Sequence, residues 1–246
     1  MSRTWVFSDI HGNGFLFDAI LEKIGSNDTV YFLGDAIDRG PDGWRILKHI
    51  LQDPRFVYLM GNHEDMMLEF FRKNKNRDTW LEKIHWSAWG SNGGLPTLEA
   101  AMKDPDFDQV IEDLNDILIL TAGYTNKIGD RIHMSHSGMG PWNSRHTKFE
   151  KNDILWDRTH FFWGAEELSS EEIVVHGHTP IPHIINQIDM TYIQEDIDEG
   201  ALWYAGGQKV CIDCGTAWTG VITLMNLDTF EEEVFVEEHM YGEADV

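Results

Sequence analysis

The sequence predicts an α/β protein organised around a parallel sheet. Three observations carry this: short β-rich runs recur near the N-terminus, amphipathic helical patterns separate them, and each run stops at a polar cluster. The runs are Thr4 to Asp9 (TWVFSD), Thr29 to Asp35 (TVYFLGD) and Phe56 to Asn62 (FVYLMGN). Each is aromatic and aliphatic without strict alternation, as expected of a strand covered on both faces. After the first run, Leu16, Ile20 and Ile24 recur at helical spacing with Phe17 and Leu21 beside them. After the second, Ile46, Leu47, Ile50 and Leu51 do the same behind Pro41, a residue suited to a first helical turn.

The chain from Glu64 to Asp116 is predicted to be mainly helical, with the Trp-containing section WLEKIHWSAWGSNGGLPTLEAAM broken by Gly90, Gly93, Gly94 and Pro96. We read it as a cap element, about residues 65–116, on a single domain spanning residues 1–246. Trp80, Trp86 and Trp89 are assigned to packing of the core or cap rather than to a substrate platform. Further strands are expected at Ile117 to Ala122, Arg131 to His136, Ile173 to His176, Lys209 to Asp213, Gly220 to Met225 and Glu233 to Glu237. The stretch from Asp189 to Gly207 is long and acidic, and reads as an added hairpin that screens substrates.

Composition restricts the partners. With 42 acidic against 19 basic side chains the net charge is −23, which repels nucleic-acid backbones and anionic lipid. The only compact basic run, Arg72, Lys73, Lys75 and Arg77, reads as the solvated end of a helix. No apolar stretch approaches the roughly 20 residues of a membrane span, and no signal peptide is recognisable, so a cytoplasmic location is expected. Cys211 and Cys214 are too few for a disulfide framework and lack the second pair of a structural zinc site, so they read as small apolar residues on a buried strand.

Ligands of open α/β sheets lie beyond the carboxyl ends of the strands, where the polar clusters fall. The first run ends SDIHG, and the two-residue spacing of Asp9 and His11 turns both side chains to one face. The second ends GDAIDRG, offering Asp35 and Asp38, and the third ends GNHED, offering Asn62 and His63. Downstream, SHSG supplies His136 and HGHTP supplies His176 and His178. So many carboxylates in one crevice require positive charge among them, and divalent metal is the simplest source. Mixed Asp, His and Asn ligands suit manganese, iron or zinc better than calcium, which prefers oxygen alone. Two such ions form a clamp for phosphoryl chemistry.

The motifs SDIHG, GDAIDRG, GNHE, SHSG and GHTP, in that order, resemble those of the calcineurin-like metallophosphoesterases, and specifically their phosphoprotein phosphatase (PPP) branch. GNHEDMM, the NGG before Thr97, WDR at Trp156 to Arg158, and IDCGTAWTG at Ile212 to Gly220 are most similar to the bacterial and bacteriophage-lambda type of serine/threonine protein phosphatase. Pro180, where the wider superfamily places a second histidine, favours the same branch. The resemblance implies two mixed β-sheets sandwiched between helices in four layers, α/β/β/α. It also implies two divalent metal ions, with manganese expected and iron or zinc as alternatives. Carried over, it gives Asp9 and His11 to one ion, Asn62, His136 and His178 to the other, and Asp35 to both. It makes His63 the general acid, held by Asp38, with Arg39 and Arg158 on the phosphate oxygens. His176 is read as a supporting residue.

The activity so implied is hydrolysis of phosphomonoesters, foremost phosphoserine and phosphothreonine in proteins, by direct attack of a metal-bridging hydroxide. The substrate would be a phosphorylated protein or a small phosphoester, with no nucleic acid or membrane partner; oligomeric state is left open. Two alternatives stand beside it: hydrolysis of dinucleoside polyphosphates such as diadenosine tetraphosphate, and a non-catalytic metal-binding or phosphate-sensing module. The complete ligand set, with His63 and Asp38 present, weighs against the module.

Overall fold

A computed structural model describes residues 2–116, 119–138, 151–158, 171–185 and 200–237. Among the described residues, ten strands form two sheets. The first holds β1 (Thr4–Phe7), β2 (Thr29–Phe32), β3 (Phe56–Tyr58), β9 (Val221–Asn226) and β10 (Glu232–Val236), in the order β10-β9-β1-β2-β3. The second holds β4 (Thr121–Thr125), β5 (Arg131–Ser135), β6 (Glu172–His176), β7 (Leu202–Tyr204) and β8 (Lys209–Cys211), in the order β4-β5-β6-β8-β7. Both sheets are mixed. The runs β1-β2-β3 and β5-β6-β8 are parallel, whereas β9, β10, β4 and β7 pair antiparallel.

The alternation of side chains along a strand explains why β1 and β2 are apolar on both faces. Val6 and Leu33 join Leu59, Ile132, Met134, Val175, Val210 and Ile212 in a core between the sheets. Their neighbours Trp5, Phe7, Val30 and Phe32 face the other way, into a cluster with Leu16, Phe17 and Ile20 of α1 (Gly14–Lys23) and Ile46, Leu47 and Ile50 of α2 (Gly43–Gln52). The Asn13 side chain caps α1 by accepting from the Leu16 N–H at 3.0 Å. On the outer face of the second sheet, Ile181 and Ile184 of α9 (Ile181–Ile185) pack on Leu202, Tyr204 and Cys211. Helix, sheet, sheet and helix thus give the four layers expected.

The helical middle comprises α3 (Asn62–Lys73), α4 (Trp80–Lys83), α5 (Ala88–Ser91), α6 (Leu95–Ala101) and α7 (Phe107–Asp116), with single turns at Arg77–Thr79 and Ile84–Trp86. Its Phe70, Phe71, Trp80, Trp89, Leu98 and Phe107 belong to the same apolar cluster as β1 and β2. Trp44 of α2 stacks on Phe107 at 5.8 Å. Trp86 departs from the expectation of packing, being 89% exposed, whereas Ile84 at the other end of the same turn is buried in the core.

Two other expectations shift. The strand expected from Ile117 begins at Thr121, with residues 117–118 outside the described region; the Ile119 carbonyl instead accepts from the Met60 N–H at 3.0 Å. The acidic stretch expected to add a hairpin contributes β7 at its end, antiparallel to β8; residues 186–199 lie outside the described region. Leu202 and Tyr204 are the apolar face that anchors it. The helices α8 (Lys151–Leu155) and α10 (Thr216–Thr219) complete the chain. Cys211 and Cys214 are buried and unbonded, with both thiols pushed upward in pKa by burial.

Leu33 is fully buried between the sheets, immediately before the loop that carries Asp35. Leu33→Ala is expected to cost about 3 kcal/mol in urea-monitored unfolding, combining lost transfer free energy with a residual cavity. A loss below about 1 kcal/mol would contradict the tightly packed inter-sheet core.

Candidate active site

The parallel strands deliver their C-terminal loops to one edge of the sandwich, and backbone hydrogen bonds stitch the first two loops together. Asp9 N–H donates to Gly34 O at 3.0 Å, His11 N–H to Asp35 O at 3.0 Å, Gly12 N–H to Ala36 O at 2.9 Å, and Gly40 N–H to His11 O at 3.0 Å. Six site candidates have left-handed backbone: Asp9 (φ 52°), His11 (46°), Asp35 (62°), Asp38 (74°), Arg39 (67°) and His178 (67°). Such conformations are costly for residues bearing a Cβ and persist only where the surroundings over-determine them. The close approach is also why Gly12 and Gly177 are glycines. A Cβ on the former would sit 2.5 Å from Gly40 O, and one on the latter 2.1 Å from Asp9 Oδ2.

Asp35 lies at the centre. Its Oδ1 accepts from the His63 N–H at 3.0 Å, while Oδ2 faces the Nε2 atoms of His136 at 3.5 Å, His11 at 3.6 Å and His63 at 3.8 Å. The His11 Nδ1 lies 3.0 Å from Ile37 O, and the His136 Nδ1 lies 2.8 Å from Leu33 O. Carbonyls only accept, so each Nδ1 carries a proton and Nε2 is the ring atom turned toward the Asp35 carboxylate. Asn62 Oδ1 lies 2.8 Å from His136 Nε2 and 2.9 Å from His178 Nδ1. His178 donates its backbone N–H to Asp9 Oδ2 at 3.0 Å, and its Nε2 is buried without a hydrogen-bond partner among the described residues.

Acceptor atoms facing one another with too few protons between them fit cations. A backbone carbonyl bonded to Nδ1 is also the usual support of a metal-ligating histidine. Two trios each bring one ligand atom per residue within 4.8 Å: His11, Asp35 and His63, and Asp9, Asp35 and His136. Asp35 belongs to both. The donor set therefore fits the expected divalent ions, and the first trio includes His63, which the resemblance makes the acid rather than a ligand.

Electrostatics follow the burial. Burial opposes ionisation of Asp35, yet His136, His63 and His11 together hold its carboxyl well below the usual range. Burial raises the Asp9 carboxyl, and burial lowers both His11 and His178. His63 is the exception: burial opposes its charge, but Asp35 and then Asp38 overcome this and raise its pKa to about 9. His63 Nδ1 lies 2.7 Å from Asp38 Oδ2, and Arg39 Nη2 lies 3.4 Å from His63 Nε2. The Arg39 guanidinium also lies 4.7 Å over the ring of Trp218. Arg158 is exposed, and its charge reaches His178 and lowers it further; Trp156 meets the same imidazole edge-on at 5.9 Å. His176 faces away from the cluster, its Nε2 2.8 Å from the Tyr204 hydroxyl.

Several residues around the site were given no part in it from sequence. Glu64 is fully buried and accepts backbone N–H groups from Ala36 at 2.8 Å and from Asp35 and Gly61 at 3.0 Å, tying the second loop to the start of α3. Burial, and then the neighbouring Asp35, raise its pKa to about 7. A glutamate three residues after the N-cap is a capping-box signal, and could have been read as such. Asp213, 2% exposed, is raised in pKa by burial and then by Asp9. It ends an apolar run, the rule that found Asp9 and Asp35. Trp89 donates Nε1–H to both Asp38 oxygens, at 2.9 and 2.8 Å, a contact that no sequence period encodes.

A two-sheet sandwich that brings carboxylates and imidazoles fit for divalent ions to its loop edge is a fold and site suited to metal-dependent chemistry on phosphoric esters. The chain belongs to the calcineurin-like phosphoesterase family, which it matches over residues 2–212. Serine/threonine-protein phosphatase 2 of Escherichia coli is 38% identical over 80 residues, 31% of this chain and 36% of that protein. Serine/threonine-protein phosphatase 1 of Salmonella typhimurium is 26% identical over 212 residues, 84% of this chain and 89% of that protein. The symmetrical bis(5'-nucleosyl)-tetraphosphatase of Delftia acidovorans is 26% identical over 149 residues, 57% of this chain and 46% of that protein. The chain thus spans about a third to a half of the length of two of these relatives. In three dimensions a serine/threonine phosphatase from Saccharomyces cerevisiae superposes with a TM-score of 0.57 at 13% identity, covering 96% of this chain and 80% of that one, a likeness of fold.

Asp35→Asn keeps the shape of the central side chain and removes its charge. If Asp35 serves as a ligand, metal analysis after manganese loading and desalting is expected to show at least a tenfold loss of bound metal. Retention of the parent's metal content would exclude Asp35 as a ligand.

Proposed function

We propose that the protein hydrolyses phosphomonoesters, with phosphoserine and phosphothreonine of proteins as its substrates. The observation that carries this reading is the buried pair His63 and Asp38, 2.7 Å apart, beside the trio His11, Asp35 and His63. In this reading Asp9 and His11 hold one ion, Asn62, His136 and His178 hold the other, and Asp35 serves both. Manganese is the expected metal, with iron or zinc as alternatives. When bound, such ions supply Lewis acidity and acidified water.

The side chains do the remaining work. Arg39 and Arg158 bind the non-bridging phosphate oxygens, Arg39 from a guanidinium held over Trp218 and Arg158 from the exposed side of His178. His63, held through Nδ1 by Asp38, keeps a proton on Nε2 and delivers it to the leaving oxygen. No cysteine takes part, since the burial of both thiols keeps them protonated.

The Delftia acidovorans relative favours a second reading, hydrolysis of dinucleoside tetraphosphates. Charge weighs against it, because a polyphosphate carrying about four negative charges approaches a chain of net charge −23. The basic run at and beyond the end of α3 offers little relief: Arg72 and Lys73 pair with Glu69, and Arg77 with Asp108. The same charge argues for phosphorylated proteins over nucleic acid as partners. A cytoplasmic location is part of the same proposal; among the described residues no helix is long and apolar enough to cross a membrane. The sharing of one apolar cluster by β1, β2 and the helices α3 to α7 supports reading the chain as one domain.

Manganese-loaded protein is expected to release phosphate from phosphoserine and phosphothreonine peptides faster than it degrades diadenosine tetraphosphate, as read by phosphate release and product chromatography. The reverse preference, with nucleoside diphosphate as product, would replace the proposed substrate. The acid role has its own sign. His63 carries its proton below about 9 and loses it above, so kcat for phenyl phosphate should fall as pH rises through about 9. A profile flat to pH 10.5 would remove His63 as the acid.

A further inference from the structure

Asp38 is wholly buried, and its carboxylate accepts from two sides. His63 Nδ1 lies 2.7 Å from Oδ2. Opposite, the indole Nε1–H of Trp89 is shared between Oδ1 at 2.9 Å and Oδ2 at 2.8 Å. The same segment touches the loop twice more: Asp38 N–H donates to Thr97 Oγ1 at 2.9 Å, and Arg39 N–H donates to Gly93 O at 3.0 Å. Trp89 is 1% exposed and packs on Phe70 and Phe71, with ring centroids 5.3 and 5.4 Å away. Its Nε1 edge lies flat on Gly94, where a Cβ would come within 2.5 Å of the nitrogen.

We propose that Trp89 is a positioning residue for the acid, its indole N–H fixing the plane of the Asp38 carboxylate so that Asp38 aims His63 at the leaving oxygen. The proposal rests on the reading of His63 as general acid. An indole N–H can only donate, so a buried one must be aimed at an acceptor, and sharing it between both oxygens of one carboxylate stops that group from rotating. A carboxylate free to turn would hold Nδ1 through either oxygen and let the imidazole swing. Proton delivery tolerates little misplacement. The segment carrying Trp89, Gly93 and Thr97 is then part of the catalytic framework rather than a cover over it.

The phenylalanine variant removes the N–H and keeps an aromatic body against Phe70 and Phe71. The test compares kcat and KM of manganese-loaded parent, Trp89→Phe and His63→Ala on phenyl phosphate, whose leaving group needs a proton, and on 4-nitrophenyl phosphate, whose leaving group does not. Trp89→Phe is expected to lose about tenfold or more in kcat on phenyl phosphate and about twofold or less on 4-nitrophenyl phosphate, with KM unchanged on both. Equal losses on the two substrates would mean a purely structural tryptophan and overturn the proposal. Selectivity in His63→Ala but not in Trp89→Phe would overturn the proposal alone. Its absence in His63→Ala would overturn the acid assignment, and the proposal with it. Should Trp89→Phe fail to fold, the indole N–H spectrum of ¹⁵N-labelled protein decides. Of ten tryptophans, one indole signal is expected to move and exchange faster in Asp38→Asn, and ten unmoved signals would overturn the proposal.

Discussion

The active-site edge depends on one charge balance, that of a buried carboxylate among imidazoles. Asp35 is 2% exposed and faces His11, His63 and His136 at 3.5 to 3.8 Å. Taken from water alone, such an anion would be neutralised by its own rising pKa. Here the surrounding rings hold it ionised, and their outward nitrogens are pinned to Ile37 O and Leu33 O. The arrangement fits added positive charge, and it brings residues from β1, β2, α3 and the second sheet to one point. Separation of the two sheets would therefore dismantle the site, so the inter-sheet core around Leu33 and Met134 supports chemistry as well as stability.

Glu64 shows how the fold and the site share parts. By accepting N–H groups from Asp35, Ala36 and Gly61 it caps α3 and fixes the backbone that carries the central carboxylate. Asn62 and His63 then occupy the first turn of that helix, aimed by it rather than by a loose loop. Sites mounted on element ends in this way lose less order than sites on free loops.

How much of this was legible in the sequence differs from part to part. The parallel strands and the helices α1 and α2 were legible because burial on both faces leaves continuous apolar runs and a 3.6-residue period. The polar residues ending those runs marked the loop edge, which is where Asp9, His11, Asp35, Asn62 and His63 lie. β7 was obscured because its three residues sit against an acidic stretch, and its apolar face is apparent only once β8 is beside it. Trp89 was read as packing, which is correct for its ring and silent on its nitrogen. A hydrogen bond between residues 51 positions apart leaves no local pattern.

The left-handed backbone at Asp9, His11, Asp35, Asp38, Arg39 and His178 bears on how the site can be dissected. Aspartate and asparagine enter that region with modest cost because a short polar side chain can bond locally, whereas alanine has no such compensation. An alanine scan of these loops would therefore report backbone strain and lost chemistry as a single number. The isosteric exchange of Asp for Asn keeps the two apart at Asp9, Asp35 and Asp38, and it is the more informative probe for this edge of the molecule.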